Sequence, residues 1–233
     1  MEIVSYPLIF TAISLAFIHT ILGPDHYIPF VALSKSNGWT YKKTMIISVI
    51  CGLAHCLSSV VIGLIGIALG IMVGKLEAFE GVRGDIASYL MISFGLVYLI
   101  WSVKRLVKGK KHSHKHNHGN LIHSHTHGHA EEHVHPHSNK SQNLFWGIFI
   151  VFLFGPCEPL IPLLMYPAAK SNIAAVIAVA STFTVVTVLT MTLMISLALK
   201  GLSFLSLSKL EKYAHPIAAV TIMICGILIV IGL

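Results

Sequence analysis

The chain has 233 residues, of which 55% are hydrophobic and only 11% charged, with a mean hydropathy of +0.79. A soluble domain typically carries about 25% charged residues, so this composition excludes an ordinary water-soluble fold and points to membrane helices. The net charge of +7 is concentrated in particular loops, which makes it an orientation signal and excludes a nucleic-acid footprint.

A helix needs about 20 apolar residues to cross a hydrocarbon core of about 30 Å. Six runs qualify: Tyr6 to Leu33, Thr44 to Val73, Ile86 to Val107, Leu144 to Pro167, Ile173 to Leu199 and Ile217 to Leu233. The residues before the first run hold an acid and no base, and no small-residue cleavage pattern follows it, so this span is expected to stay in the mature protein. It contains His19 and then Gly23-Pro24-Asp25-His26-Tyr27-Ile28-Pro29. His19 and His26 are two helical turns apart and share a face of a regular helix, although Gly23 and Pro24 interrupt that regularity. The second span places His55 among Leu, Ile and Val, together with Cys51 and Cys56. Glu77, Glu80, Arg83 and Asp85 are assigned to the loop before span 3.

After span 3 the chain reads HSHKHNHGNLIHSHTHGHAEEHVHPH from His112 to His137 and holds 11 of the 15 histidines. They are His112, His114, His116, His118, His123, His125, His127, His129, His133, His135 and His137. No apolar period is present, so disorder is expected in the absence of metal. Neutral imidazoles on a flexible backbone suit capture of a borderline cation. Span 4 then carries Gly155-Pro156-Cys157-Glu158-Pro159-Leu160-Ile161-Pro162. Span 5 carries Thr182, Thr184, Thr187, Thr190 and Thr192, and Thr187 occupies the position equivalent to His55 relative to the Gly-Pro motif, as polar lining. Cys225 lies in span 6, and all four cysteines are thus within apolar spans, where inert free thiols are common.

Under six spans, 13 of the 16 basic residues fall in odd-numbered loops. The positive-inside rule therefore puts both termini outside and the His-rich loop in the cytoplasm. Spans 1 and 4 then run in opposite directions, and their shared pattern of Gly-Pro, two ligand-type residues and a proline reads as an inverted repeat. The expected fold is an all-α membrane protein of six transmembrane helices in two inverted three-helix repeats, with helices 1 and 4 broken at Gly-Pro. The first repeat covers residues 1–108, the His-rich loop 109–142 and the second repeat 143–233. Two proline kinks retained for packing are the plainer alternative, but they leave the polar pairs unexplained.

Of the nine acids only Asp25 and Glu158 fall inside spans on this reading. An ionised group at mid-depth costs about 2.5–3.5 kcal/mol by insertion scales unless it faces a protein interior or a wet cavity. Imidazoles, carboxylates and a thiol together suit Ni²⁺, Co²⁺ or Zn²⁺ better than oxygen-seeking Mg²⁺ or Ca²⁺. The expected metal ligands are therefore His26, Asp25 and His55, assisted by His19, Cys157 and Glu158, with the ion as transported substrate and no resident cofactor. The expected partners are the metal ion and the lipid bilayer, with no nucleic acid and with self-association left open. The expectation is a carrier and not an enzyme.

His19, Asp25, His26, His55 and the His-rich loop resemble the nickel/cobalt permeases and the related NicO-type and urease-accessory membrane proteins. That family has His, four intervening residues and Asp-His in an early helix; here five residues, Thr20 to Pro24, separate His19 from Asp25, while Asp25 and His26 match directly. The resemblance implies transport of Ni²⁺ or Co²⁺ in the direction of export. The Gly-Pro-Cys of span 4 also resembles the membrane thiol-disulfide carriers, which implies electron transfer through Cys157. Such carriers need a pair of exchanging thiols, and the repeat places Asp25, not a cysteine, opposite Cys157. An anion exporter is disfavoured because no Arg or Lys is expected in the centre of a span.

Overall fold

The computed structural model describes residues 6–108, 113–118, 121–126, 138–203 and 211–231. These form eight α-helices, two short 3₁₀ turns and one two-stranded ribbon. Helix α1, Tyr6–Leu22, is followed by a 3₁₀ turn at Pro24–His26 and by α2, Ile28–Ser36, the two arms meeting at 81°. Helix α3 spans Tyr41–Ala68 and α4 spans Val73–Lys108. The Thr40 hydroxyl accepts the Lys43 amide at 3.3 Å and caps the start of α3. At its far end Gly70, at φ +65°, lets the Ile71 amide turn back to the Gly66 carbonyl.

The second half begins with α5, Ser138–Phe154, which stops before Gly155-Pro156 and resumes as α6, Leu160–Ala169. Helix α7 covers Ile173–Ser203, and a 3₁₀ turn at Glu211–Tyr213 leads into α8, Ala214–Val230. Three helices, α3, α4 and α7, are long and apolar enough to cross a membrane, and the bent α1–α2 pair makes a fourth if taken as one span. The protein is a multi-pass helical membrane protein.

Burial follows the logic of a lipid solvent. Along α3, Ile46, Ile50, Leu53, Leu57, Val61 and Leu64 are exposed, while Ser48, Gly52, His55 and Ser59 are buried. On α7, Val185, Leu189 and Leu193 face outward and Thr184, Thr187 and Thr190 inward. Apolar side chains can face lipid without cost, whereas polar groups must find partners inside the bundle. Helix α4 packs along α8, and a Cβ on Gly95 would come within 2.8 Å of the Met223 backbone nitrogen. Only a glycine permits that approach, as in other close membrane helix pairs.

Two expectations are corrected here. Helix α4 begins at Val73, well before Ile86, so Glu80 and Arg83 are on a helix and not in a loop; their exposures are 0% and 5%. The i, i+3 spacing lets each neutralise the other, which removes the reason to expect them in water. The His-rich connection was expected to be wholly disordered, yet β1, Ser113–His118, pairs antiparallel with β2, Leu121–Thr126. Alternating His-x-His has the period of a strand, and Gly119-Asn120 between the strands is a turn-forming pair. His114 is in register with His125 and His116 with His123. His112, His127, His129, His133, His135 and His137 lie outside the described residues.

Candidate thiol and imidazole site

The site forms where the two helix breaks meet α3. The Gly23 amide closes the last turn of α1 on the His19 carbonyl at 3.0 Å. Pro24 then removes the next donor, and the chain tightens so that the His26 amide bonds the Gly23 carbonyl at 3.1 Å. This turn aims the His26 side chain back at its own backbone: Nδ1 donates to the Gly23 carbonyl at 3.1 Å and lies 3.2 Å from Asp25 Oδ1. A proton held on Nδ1 leaves Nε2 as a lone pair. The His26 ring lies edge-on between His19, at a centroid distance of 4.8 Å, and His55, at 5.1 Å.

His55 is brought in by α3 and lies against Phe152 near the end of α5, with ring centroids 6.2 Å apart. Both Gly-Pro motifs meet an imidazole at their glycine. A Cβ at Gly23 would lie 2.5 Å from His26 Nδ1, and one at Gly155 would lie 2.9 Å from His55 Nδ1. The glycines therefore leave space for rings as well as loosening a turn. The Nε2 atoms of His19, His26 and His55 and the Thr187 hydroxyl are buried without a hydrogen-bond partner among the described residues. Four orphaned polar atoms in one place are unusual, since nearly all buried polar groups are satisfied.

Cys157 sits on the α5–α6 break with its side chain fully buried. Cys56 on α3 lies beside it, and the Thr187 hydroxyl neighbours Cys56. His19, His55 and Cys157 place one ligand atom each within 4.8 Å of one another. A cavity of about 20 Å³ beside them is lined by Asp25, His26, His55, Met91 and Phe152, among others, with room for about one water.

A buried polar clamp fixes the break that carries Cys157. The Cys157 amide donates to Ser59 Oγ and to Glu80 Oε2, each at 3.2 Å. Arg83 pairs with Glu80 and donates to Ser59 at 3.1 Å, to Ser58 at 2.7 Å, and to the carbonyls of Leu153 and Gly155, both at 3.1 Å. These carbonyls would otherwise end α5 unsatisfied.

The structure thus gathers Asp25, His26, His55, His19 and Cys157, with Thr187 at the margin. Glu158, expected beside them, is exposed on the outside of the break, because the turn after Pro156 points adjacent residues in opposite directions. Cys56, Glu80 and Arg83 are the residues that sequence reasoning missed. The i, i+3 acid–base pair and the seven-residue run from Gly52 to Ser58 were their available signals.

A family model described as the cytochrome C biogenesis protein transmembrane region matches residues 28–228. The chain belongs to that family, a family of membrane thiol-disulfide carriers. No curated protein and no solved structure matches. Family membership overturns the expectation of divalent-metal transport, and with it the resemblance to nickel/cobalt permeases as the guide to function. It favours the thiol-disulfide alternative, whose obstacle was the missing second cysteine. Cys56, which lies beside Cys157, is the candidate for that second thiol, and it comes from α3 in the other half of the chain and not from the equivalent position in span 1.

Proposed function

We propose that this protein carries reducing equivalents across a membrane by thiol–disulfide exchange at Cys56 and Cys157. The observation that carries the reading is the juxtaposition of these two cysteines, both fully buried and borne on different halves of the chain. In the exchange, one thiol loses its proton and attacks a partner protein's disulfide, forming a mixed disulfide and releasing one partner thiolate. The second thiolate then attacks the mixed disulfide, so that a Cys56–Cys157 bond forms and the partner leaves as a dithiol. Two electrons and two protons leave the pair, and a dithiol partner on the other side of the membrane restores it by the reverse sequence. The orphaned Nε2 atoms of His19 and His55 are suited to accept the thiol protons, since a thiolate is the attacking species.

The six-span, two-repeat arrangement belongs to the same reading. Helix α1 packs on α7 as α5 packs on α3, and the third helices of the halves, α4 and α8, pack on each other. This exchange-symmetric pattern supports an inverted repeat, with both termini outside, the His-rich loop in the cytoplasm and the redox pair near the middle.

In liposomes containing the purified protein and an enclosed disulfide reporter, an external dithiol protein should reduce the reporter. Cys56→Ser and Cys157→Ser should each abolish this reduction. Undiminished transfer in either variant would sink the proposal.

A further inference from the structure

The thiol of Cys157 has two sets of neighbours, and the exchange reaction uses only one of them. One is Cys56. The other is His19 and His55, whose ligand atoms and Cys157 Sγ are mutually within 4.8 Å. We infer that the reduced site holds one soft-to-borderline d-block cation, of the class of Zn²⁺ or Co²⁺, on His19, His55 and Cys157. The ion and the Cys56–Cys157 disulfide compete for the same sulfur.

Two independent observations carry this. The first is ligand type and spacing. A tetrahedral ion with bonds of about 2.0–2.3 Å needs ligand atoms about 3.3–3.8 Å apart, so the cluster closes on an ion by about 1 Å. The second is the unpartnered lone pairs. His55 is 4% exposed and has Nε2 orphaned, as does His19. The His55 ring is held edge-on between His26, at a centroid distance of 5.1 Å, and Phe152, at 6.2 Å. Asp25 stands one step further out, beside His26 Nδ1, and supplies negative charge near a cation without being one of its ligands.

The ion is held at the site and is not a cargo. On binding, the Cys157 thiol gives up its proton and its sulfur lone pair goes to the metal, which withdraws it as a nucleophile. Oxidation runs the other way. A disulfide oxidant takes two electrons from Cys56 and the Cys157 thiolate and becomes a dithiol, the one remaining thiol proton leaves Cys56, the S–S bond forms, and the ion is released as it loses its only sulfur ligand. A thiophilic cation is therefore a reversible inhibitor of the reduced carrier, and the oxidised carrier is insensitive to it.

This inference uses the exchange reading only for the competing disulfide, and the two can fail separately. The full-length protein in detergent, reduced and freed of reductant, is titrated with Co²⁺. A near-ultraviolet sulfur-to-cobalt charge-transfer band is expected with one ion per chain. The His-rich loop contains no cysteine, so ions bound there contribute no such band. Cys157→Ser should remove the band, and His19→Gln or His55→Gln should weaken Co²⁺ binding at least tenfold, whereas Cys56→Ser should retain it. Diamide oxidation of the wild type should abolish the band, a comparison that needs no variant. Absence of the band from the reduced wild type, or its survival in Cys157→Ser, overturns the metal site. If peptide mapping after diamide finds no Cys56–Cys157 disulfide while the reduced protein gives the band, the exchange reading and the competition fall and the metal site stands.

Discussion

A glycine that faces an imidazole at 2.9 Å leaves no room for a methyl group. Gly155→Ala must push His55 away from Cys157, and we expect the exchange rate to fall about tenfold while the helical content is kept. Circular dichroism and the liposome assay measure the two separately. Arg83 is a different kind of residue, because it ties a buried carboxylate to two backbone carbonyls at the break. Arg83→Ala leaves Glu80 buried and unpaired, which costs about 3–5 kcal/mol. Thermal unfolding in detergent should show this as a much lower midpoint, and Glu80→Gln combined with Arg83→Met should recover part of it. Much of this residue-level chemistry was legible in sequence. His19, Asp25, His26, His55 and Cys157 stand out because ionisable groups in apolar spans have no other explanation. Cys56 was not legible as a redox partner, since its contact with Cys157 joins positions 101 residues apart that repeat symmetry does not relate.

At the scale of elements, the two breaks have different supports. The α1–α2 break is stabilised locally, through Gly23, Pro24 and the His26 ring. The α5–α6 break depends on α3 and α4, whose Ser58, Ser59, Glu80 and Arg83 supply the bonds that its backbone lacks. Pro156 also rests against Gly84 of α4, where a Cβ would lie 3.1 Å from its Cγ. Gly84→Leu should therefore displace the second break and leave the first intact. Its expected signature is a loss of exchange activity with Co²⁺ binding weakened at Cys157, checked in the same two assays. The spans themselves were readable from hydropathy, but the start of α4 was not. Glu77, Glu80, Gly81, Arg83, Gly84 and Asp85 look like a loop when counted one at a time. Only the pairing of Glu80 with Arg83 across one turn makes the segment compatible with a buried helix.

For the whole molecule, the His-rich connection joins two halves that meet through α3, α4, α7 and α8. It contributes no residue to the thiol pair. Deleting 112–137 should leave reporter reduction within about twofold of wild type, and a larger loss would place the loop in the exchange pathway. Its side of the membrane is testable as well: Asn120→Cys should react with an impermeant maleimide only after cells are permeabilised. The ribbon in this loop was obscured in sequence because its alternation lacks an apolar face, so it resembles a solvated tract. The inverted pattern of the Gly-Pro motifs was visible early, but it suggested pairing Cys157 with Asp25, whereas the proposed exchange partner, Cys56, lies on α3.

The gap beside the imidazoles has room for about one water. A molecule that must pass a solute has to open such a gap on each side in turn, and the Glu80–Arg83 clamp resists any separation of α4 from the end of α5. On the exchange reading, electrons carried as a pair of thiols need no such passage, only a proton's route and a sulfur able to turn toward a new partner. A carrier working by exchange at this centre would move charge without opening a path for anything larger, which would spare the membrane a leak each time it turns over.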